Sequence, residues 1–158
     1  MNVTIRPYLP SDRESLRTLT VEAFQGVSID HAIDIVLGPL SPIDWRRRKA
    51  QHVDDDIDHP KGELAVVDRD GEPLGYVSMR FDREGAIGTI PNLVVAPALR
   101  NLGWGRRLLL HALDRFKAEG MKIAKIETLE HNPIGRHLYP SVGFEEVARQ
   151  IHYAIRID

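Results

Sequence analysis

The chain of 158 residues carries 42% hydrophobic and 28% charged residues, a formal net charge of −2 and no cysteine. That length fits one domain, residues 1–158, with a sizeable core. The near-neutral charge gives no global basis for binding nucleic acid or an anionic membrane, and the lack of cysteine excludes a disulfide framework, a thiol nucleophile and a zinc–thiolate site. The opening Met1-Asn2-Val3-Thr4-Ile5-Arg6 has no cationic segment followed by an apolar one, and no run approaches membrane-spanning length. The expectation is a soluble cytoplasmic enzyme with neither nucleic acid nor membrane as partner.

In chain order, Val3-Thr4-Ile5-Arg6 alternates like a short strand. Pro10-Ser11-Asp12 then opens a helix with Leu16, Leu19, Ala23 and Phe24 on its apolar face. Ile29, Ile33 and Val36/Leu37 mark one more short helix within an irregular stretch, and residues 43–56 read as a helix with a charged surface around Trp45. Two apolar runs, residues 64–67 and 74–79, flank Asp70-Gly71, a strong hairpin signal. Residues 86–95 predict a third long strand, ended by Pro97. Leu109, Leu113 and Phe116 form the stripe of a central helix that Gly120 stops. Residues 123–129 alternate as another strand, residues 133–141 form a short helix broken by Gly143, and residues 147–157 predict a final strand. The order predicts one mixed α/β domain.

The densest signal is Arg100-Asn101-Leu102-Gly103-Trp104-Gly105-Arg106-Arg107, a turn between strand and helix. Arg106 and Arg107 fall in the first helical turn, where the macrodipole disfavours cations, and the two glycines weaken that turn further. An anion at the site would account for both costs, because bare amides at a helix start bind phosphate and glycines admit it to the backbone. A plain helix cap is the alternative reading of Asn101, one that needs no ligand. A dinucleotide fingerprint is incomplete here, since Leu108 stands three residues after Gly105.

The sequence Leu93-Val94-Val95-Ala96-Pro97-Ala98-Leu99-Arg100-Asn101-Leu102-Gly103-Trp104-Gly105 resembles the strand–turn–helix signature of the GNAT superfamily of acyl-CoA-dependent N-acetyltransferases. Downstream, Asn132-Pro133 and Leu138-Tyr139-Pro140-Ser141-Val142-Gly143-Phe144 are similar to a second element of that family. The strong likeness spans about residues 90–144; the first half agrees only in element order. The resemblance implies an α/β (α+β) fold with a mixed, mostly antiparallel twisted sheet flanked by helices. It also implies that parallel neighbours near residues 90–95 and 123–129 splay to admit the cofactor.

The resemblance further implies acetyl-CoA as acetyl donor and a small-molecule or peptide amine as acceptor, joined in a ternary complex without an acyl-enzyme. Amides of Leu102, Gly103, Trp104, Gly105 and Arg106, with the Arg100 and Arg106 side chains, would hold the pyrophosphate, with Asn101 in the same turn. The pantetheine arm would pair with the backbone at Leu93, Val94 and Val95, where a free N–H would also stabilise an oxyanion. Asn132 is both a cofactor contact by resemblance and a natural cap for the helix that Pro133 begins.

Tyr139 resembles the family's general acid, the alternative being a core aromatic. For the base that deprotonates the incoming ammonium, no spacing selects among Glu84, Glu127 and Glu130. A rival reading keeps the cradle in a non-catalytic module that senses coenzyme A or an acyl-CoA. The histidines and aspartates at residues 52–59 have no recognised ligand pattern, so no metal is assigned and a solvated helix end is expected. Arg46-Arg47-Arg48-Lys49 points around a helix rather than along one face, which argues against a nucleic-acid site. Trp45 reads as an anchor of its helix or the wall of an acceptor pocket. A homodimer through a sheet edge or the last strand is common for such folds.

Overall fold

The computed structural model describes residues 2–40 and 42–158. Strand β1 (Val3–Pro7) leads through a 3-10 turn into α1 (Arg13–Ala23), followed by α2 (Ile29–Leu37) and α3 (Trp45–Asp58). The hairpin β2 (Gly62–Arg69) and β3 (Glu72–Asp82) comes next, then β4 (Ile87–Ile90) and β5 (Leu93–Val95). Helix α4 (Trp104–Ala118), strand β6 (Ile123–Ile126) and helix α5 (Pro133–Val142) complete the elements. The sheet runs β1-β2-β3-β4-β6, with β5 also paired to β3. Among the described residues its only parallel neighbours are β4 and β6, so the sheet is mixed and mostly antiparallel.

The hairpin forms where Asp70-Gly71 predicts it. Both residues adopt positive φ (52° and 92°), as the favoured tight turn demands, and the Asp68 carboxylate accepts from the Gly71 N–H at 2.7 Å. Strands β2 and β3 read as continuous apolar runs because helices cover both faces of the sheet. Leu64, Val66, Tyr76 and Val94 face α1 and α3, meeting Leu16 and Val53. Ala65, Val67, Val77 and Met79 face α4, meeting Leu108, Leu109, Ala112 and Phe116. A Cβ on Gly88 would lie 2.3 Å from the Phe116 ring, so a glycine in β4 is what lets that ring seat on the sheet.

Three expected strands come out differently. The run at residues 86–95 splits at Pro91-Asn92 into β4 and β5, because proline has no N–H for the ladder. The strand beginning at Ile123 ends at Ile126 instead of residue 129, where its neighbour departs. Residues 147–157 form no strand: the alternation chooses a face, but a strand also needs a partner, and none is present among the described residues. Val147, Ile151, Tyr153, Ile155 and Ile157 are 79–95% exposed.

Candidate active site

The break at Pro91-Asn92 opens the sheet. Before it, β4 and β6 pair in parallel from Ile87↔Ile123 to Ile90↔Ile126. Beyond it, β5 stays with β3 (Gly75↔Val95, Tyr76↔Val94, Val77↔Leu93) while residues 127–129 leave the sheet. The splay expected between the two strands is therefore present, with the paired part earlier than expected. Ser78 N–H donates to the Asn92 carbonyl at 2.9 Å, and Ala96 N–H donates to the Leu74 carbonyl at 2.7 Å, so these alternate residues face β3. The N–H groups of Leu93 and Val95 accordingly face the gap.

The chain passes from β5 through a 3-10 turn anchored by buried Leu99 into the glycine–arginine turn. Asn101 (φ 61°) and Gly103 (φ 85°) both take the left-handed conformation, and a Cβ on Gly103 would meet nothing within 4 Å. The first bond of α4 runs from Arg107 N–H to the Gly103 carbonyl at 3.1 Å. The N–H groups of Trp104, Gly105 and Arg106 precede it and have no helical acceptor. Among the described residues nothing else accepts from them or from Leu102 and Gly103. This open row of amides follows the splayed strand after a single 3-10 turn.

The arginines are not all aimed at that row. Arg106 donates to the Ser141 carbonyl at 3.2 Å, Arg107 lies over the Trp104 ring at 4.5 Å, and Arg100 Nε donates to the Val95 carbonyl at 3.3 Å. The cost of a cation at the start of α4 is thus partly offset by the carbonyl end of α5, without any anion. Gly105 also serves packing: its absent Cβ would sit 3.4 Å from Leu138 of α5.

Helix α5 brings Tyr139 to the same region. Its half-buried ring packs edge-on to Phe144 (centroids 6.2 Å apart), and burial pushes its hydroxyl up to about 12. Among the described residues the hydroxyl has no hydrogen-bond partner. Asn132 accepts from Ile134 N–H at 3.2 Å and so does cap α5. Of the candidate bases, Glu84 lies in the β3–β4 turn, at the opposite end of β4 from the break. Glu127 pairs with Lys125 at 3.4 Å and Glu130 with Arg149 at 2.9 Å, both exposed beyond β6.

The acidic end of α3 carries ion pairs. Asp54 bridges Arg13 and Arg17, Asp58 meets Arg13, and no group of ligands suited to a metal occurs among the described residues. Trp45 is buried and stacks on His31 (4.4 Å), an anchor in its helix. Sequence reasoning missed Lys49, Asp56 and Asn92, which meet in a buried polar cluster beside the break. Their only signal was the seven-residue spacing of Lys49 and Asp56, hidden inside a charged run.

Residues 30–144 match the family model described as Acetyltransferase (GNAT) family. The chain belongs to that family, a class of enzymes that use acetyl-CoA as acetyl donor. An amino-acid acetyltransferase of Neisseria meningitidis is 26% identical over 117 residues, 73% of this chain but 26% of the relative. The chain thus spans about a quarter of that relative's length. The N-acetyltransferase YhfO of Bacillus subtilis is 28% identical over 105 residues, covering 64% of this chain and 70% of the relative. Among solved structures, an N-acetyltransferase of Thermoplasma acidophilum in complex with coenzyme A superposes with TM-score 0.72 at 18% identity, covering 92% and 91% of the two chains. AAC(6')-Iy in complex with a bisubstrate analog gives 0.69 at 17% identity, covering 99% and 100%. Both likenesses concern the fold.

Proposed function

We propose that this protein moves an acetyl group from acetyl-CoA to a primary amine by direct attack in a ternary complex. The observation that carries the reading is the open row of amides from Leu102 to Arg106, which follows the outward-facing backbone of β5 after a single 3-10 turn. A diphosphate fits the first, with the Arg100 side chain at its edge; the amide-bearing pantetheine fits the second as an added strand. The thioester carbonyl then lies by the Leu93 N–H, which stabilises negative charge as the tetrahedral intermediate forms.

The amine lone pair forms the new C–N bond, the C–S bond breaks, and the thiolate takes a proton from Tyr139; the proton that the nitrogen sheds on becoming an amide returns to the Tyr139 oxygen through water. Burial holds that phenol protonated at neutral pH, so the proton is present when the thiolate leaves. The ammonium proton of the acceptor leaves through water or a base at the exposed mouth, where Glu127 and Glu130 stand.

A panel of amines with acetyl-CoA, followed by release of free thiol, tests this. Turnover with at least one amine is expected. Tight coenzyme A binding without turnover would favour the sensor reading, which leaves Tyr139 without a task.

The partner implied beyond the amine is a second copy of the chain. Residues 145–158 alternate apolar and polar and make no backbone hydrogen bond among the described residues. Strand β6 is the sheet's edge, beside an open hollow lined by Leu113, Phe116, Met121 and Ala124. An arm from another copy would add a strand there and cover that hollow.

A further inference from the structure

Four side chains that the proposed reaction leaves unused meet where β4 gives way to β5. Lys49 and Asp56 stand seven residues apart on one face of α3, and both reach Asn92. Lys49 Nζ donates to Asn92 Oδ1 at 3.1 Å, and Asn92 Nδ2 donates to Asp56 Oδ2 at 2.6 Å. Arg80 of β3 donates to the other oxygen of Asp56 at 2.8 Å. The main chain of Asn92 is held as well: its N–H donates to Ser78 Oγ at 2.9 Å, and its carbonyl accepts from Ser78 N–H at 2.9 Å. Lys49, Asp56, Ser78 and Asn92 are all buried.

Withdrawing a lysine and an aspartate from water is costly, and apolar residues would hold α3 to the sheet at least as well. What the polar set adds is orientation. A cation on one side demands the amide oxygen of Asn92, and a carboxylate on the other demands its NH2, so only one setting of the amide satisfies both. Ser78 fixes the peptide groups on either side of the same residue. The next N–H along the chain, that of Leu93, faces the gap.

We infer that Lys49, Asn92 and Asp56 form a positioning clamp that fixes the Leu93 amide at the opening where the acyl donor enters. The inference rests on the transferase reading for what the opening receives. The three residues touch neither donor nor acceptor; they act through the backbone. An oxyanion donor is effective only when already aimed at the developing charge, and a misplacement of about 1 Å costs about a hundredfold in rate.

The test is a swap across the shared bond. Asn92→Asp alone sets two carboxylates against each other. Combined with Asp56→Asn it restores every bond with the direction of one reversed: the carboxylate at 92 accepts from Lys49 and from the amide at 56, whose oxygen accepts from Arg80. For Asn92→Asp, calorimetry should show acetyl-CoA binding weakened about fivefold or more, and kcat should fall about tenfold or more, with the amine KM within about twofold of wild type. The double variant should recover both. Lys49→Met, which keeps the Asn92–Asp56 bond, should show the same split more mildly and serves if Asn92→Asp does not fold. Variants that lose only thermal stability, or a double variant that regains stability without regaining donor affinity and kcat, would overturn the clamp. If the wild-type protein transfers acetyl to no amine, the transferase reading fails separately. The clamp is then judged on acetyl-CoA affinity alone, and an unchanged Kd in Asn92→Asp overturns it.

Discussion

Arg106, in the first turn of α4, donates to the Ser141 carbonyl in the last turn of α5 at 3.2 Å. The positive start of one helix is thereby tied to the carbonyl end of another, and the turn before α4 keeps its amides free. Gly103, at the N-cap of α4, sets the direction of those amides through its positive φ of 85°. Gly103→Ala has room for its methyl group but not the right backbone conformation, a cost of about 1–2 kcal/mol. Coenzyme A affinity should fall about tenfold in calorimetry, with a lower thermal midpoint. An unchanged Kd would show that the row is not the diphosphate site.

Tyr139→Phe should leave coenzyme A binding intact and lower kcat by about 10²-fold. Stability at neutral pH should be nearly unchanged, because the hydroxyl has no partner among the described residues. The pH dependence has a definite sign. Burial raises the folded-state value to about 12 from an unfolded value near 10, so no stability is lost below pH about 10, and stability falls as pH rises from there. Tyr76, fully buried and raised in the same direction mainly by burial, adds to that fall. The phenylalanine variant should therefore unfold less steeply in alkali than wild type, measured as urea midpoints across that range.

Arg6 holds two carboxylates at once, Asp12 and Asp68, each at 2.8 Å. Arg6→Leu strands both, and loss of one partner from a largely buried pair costs about 3–5 kcal/mol. For Asp12, burial pushes the carboxyl up but the Arg6 and Leu9 N–H bonds outweigh it; for Asp68, the Gly71 N–H and Arg6 bonds lower it. Both are thus depressed in the folded state, so their stabilisation is present above the usual carboxylate range and lost as pH falls through the lowered values. The gap between wild type and Arg6→Leu in urea denaturation should be widest near neutrality and shrink in acid. A gap independent of pH would rule out this account.

The exposed arm gives a prediction about mass. Light scattering should find the wild type at twice its 17.9 kDa. The double substitution Ile151→Asp/Ile155→Asp should be monomeric with an unaltered thermal midpoint for the isolated domain, since both side chains are exposed within one chain. A monomeric wild type whose arm is protected from hydrogen exchange would mean that the arm folds onto its own sheet.

The parts of this fold that could be read in the sequence are those decided by neighbours in the chain. Asp70-Gly71 has the chemistry of its turn, Asn132-Pro133 that of a helix start, and the glycines at 103 and 105 that of an open helix end. Contacts decided at a distance were not readable. Arg106 looked like a cation awaiting an anion because Ser141 lies 35 residues away. Asp56 looked like one member of a solvated run, although Asn92, 36 residues on, holds it in the interior. Pro91 did carry a signal against an unbroken strand, and the apolar residues around it masked that signal. Residues 147–157 had a strand's pattern but pair with no strand among the described residues.

Gly75 sits on the far side of β5 from the opening. A Cβ there would stand 2.6 Å from the Val94 carbonyl oxygen, so the close seating of β5 on β3 depends on hydrogen in place of a methyl group. Any larger residue pushes β5 outward, into the space that a donor molecule would occupy. How wide the doorway stands is thus governed from behind the wall, by an atom that no substrate ever meets.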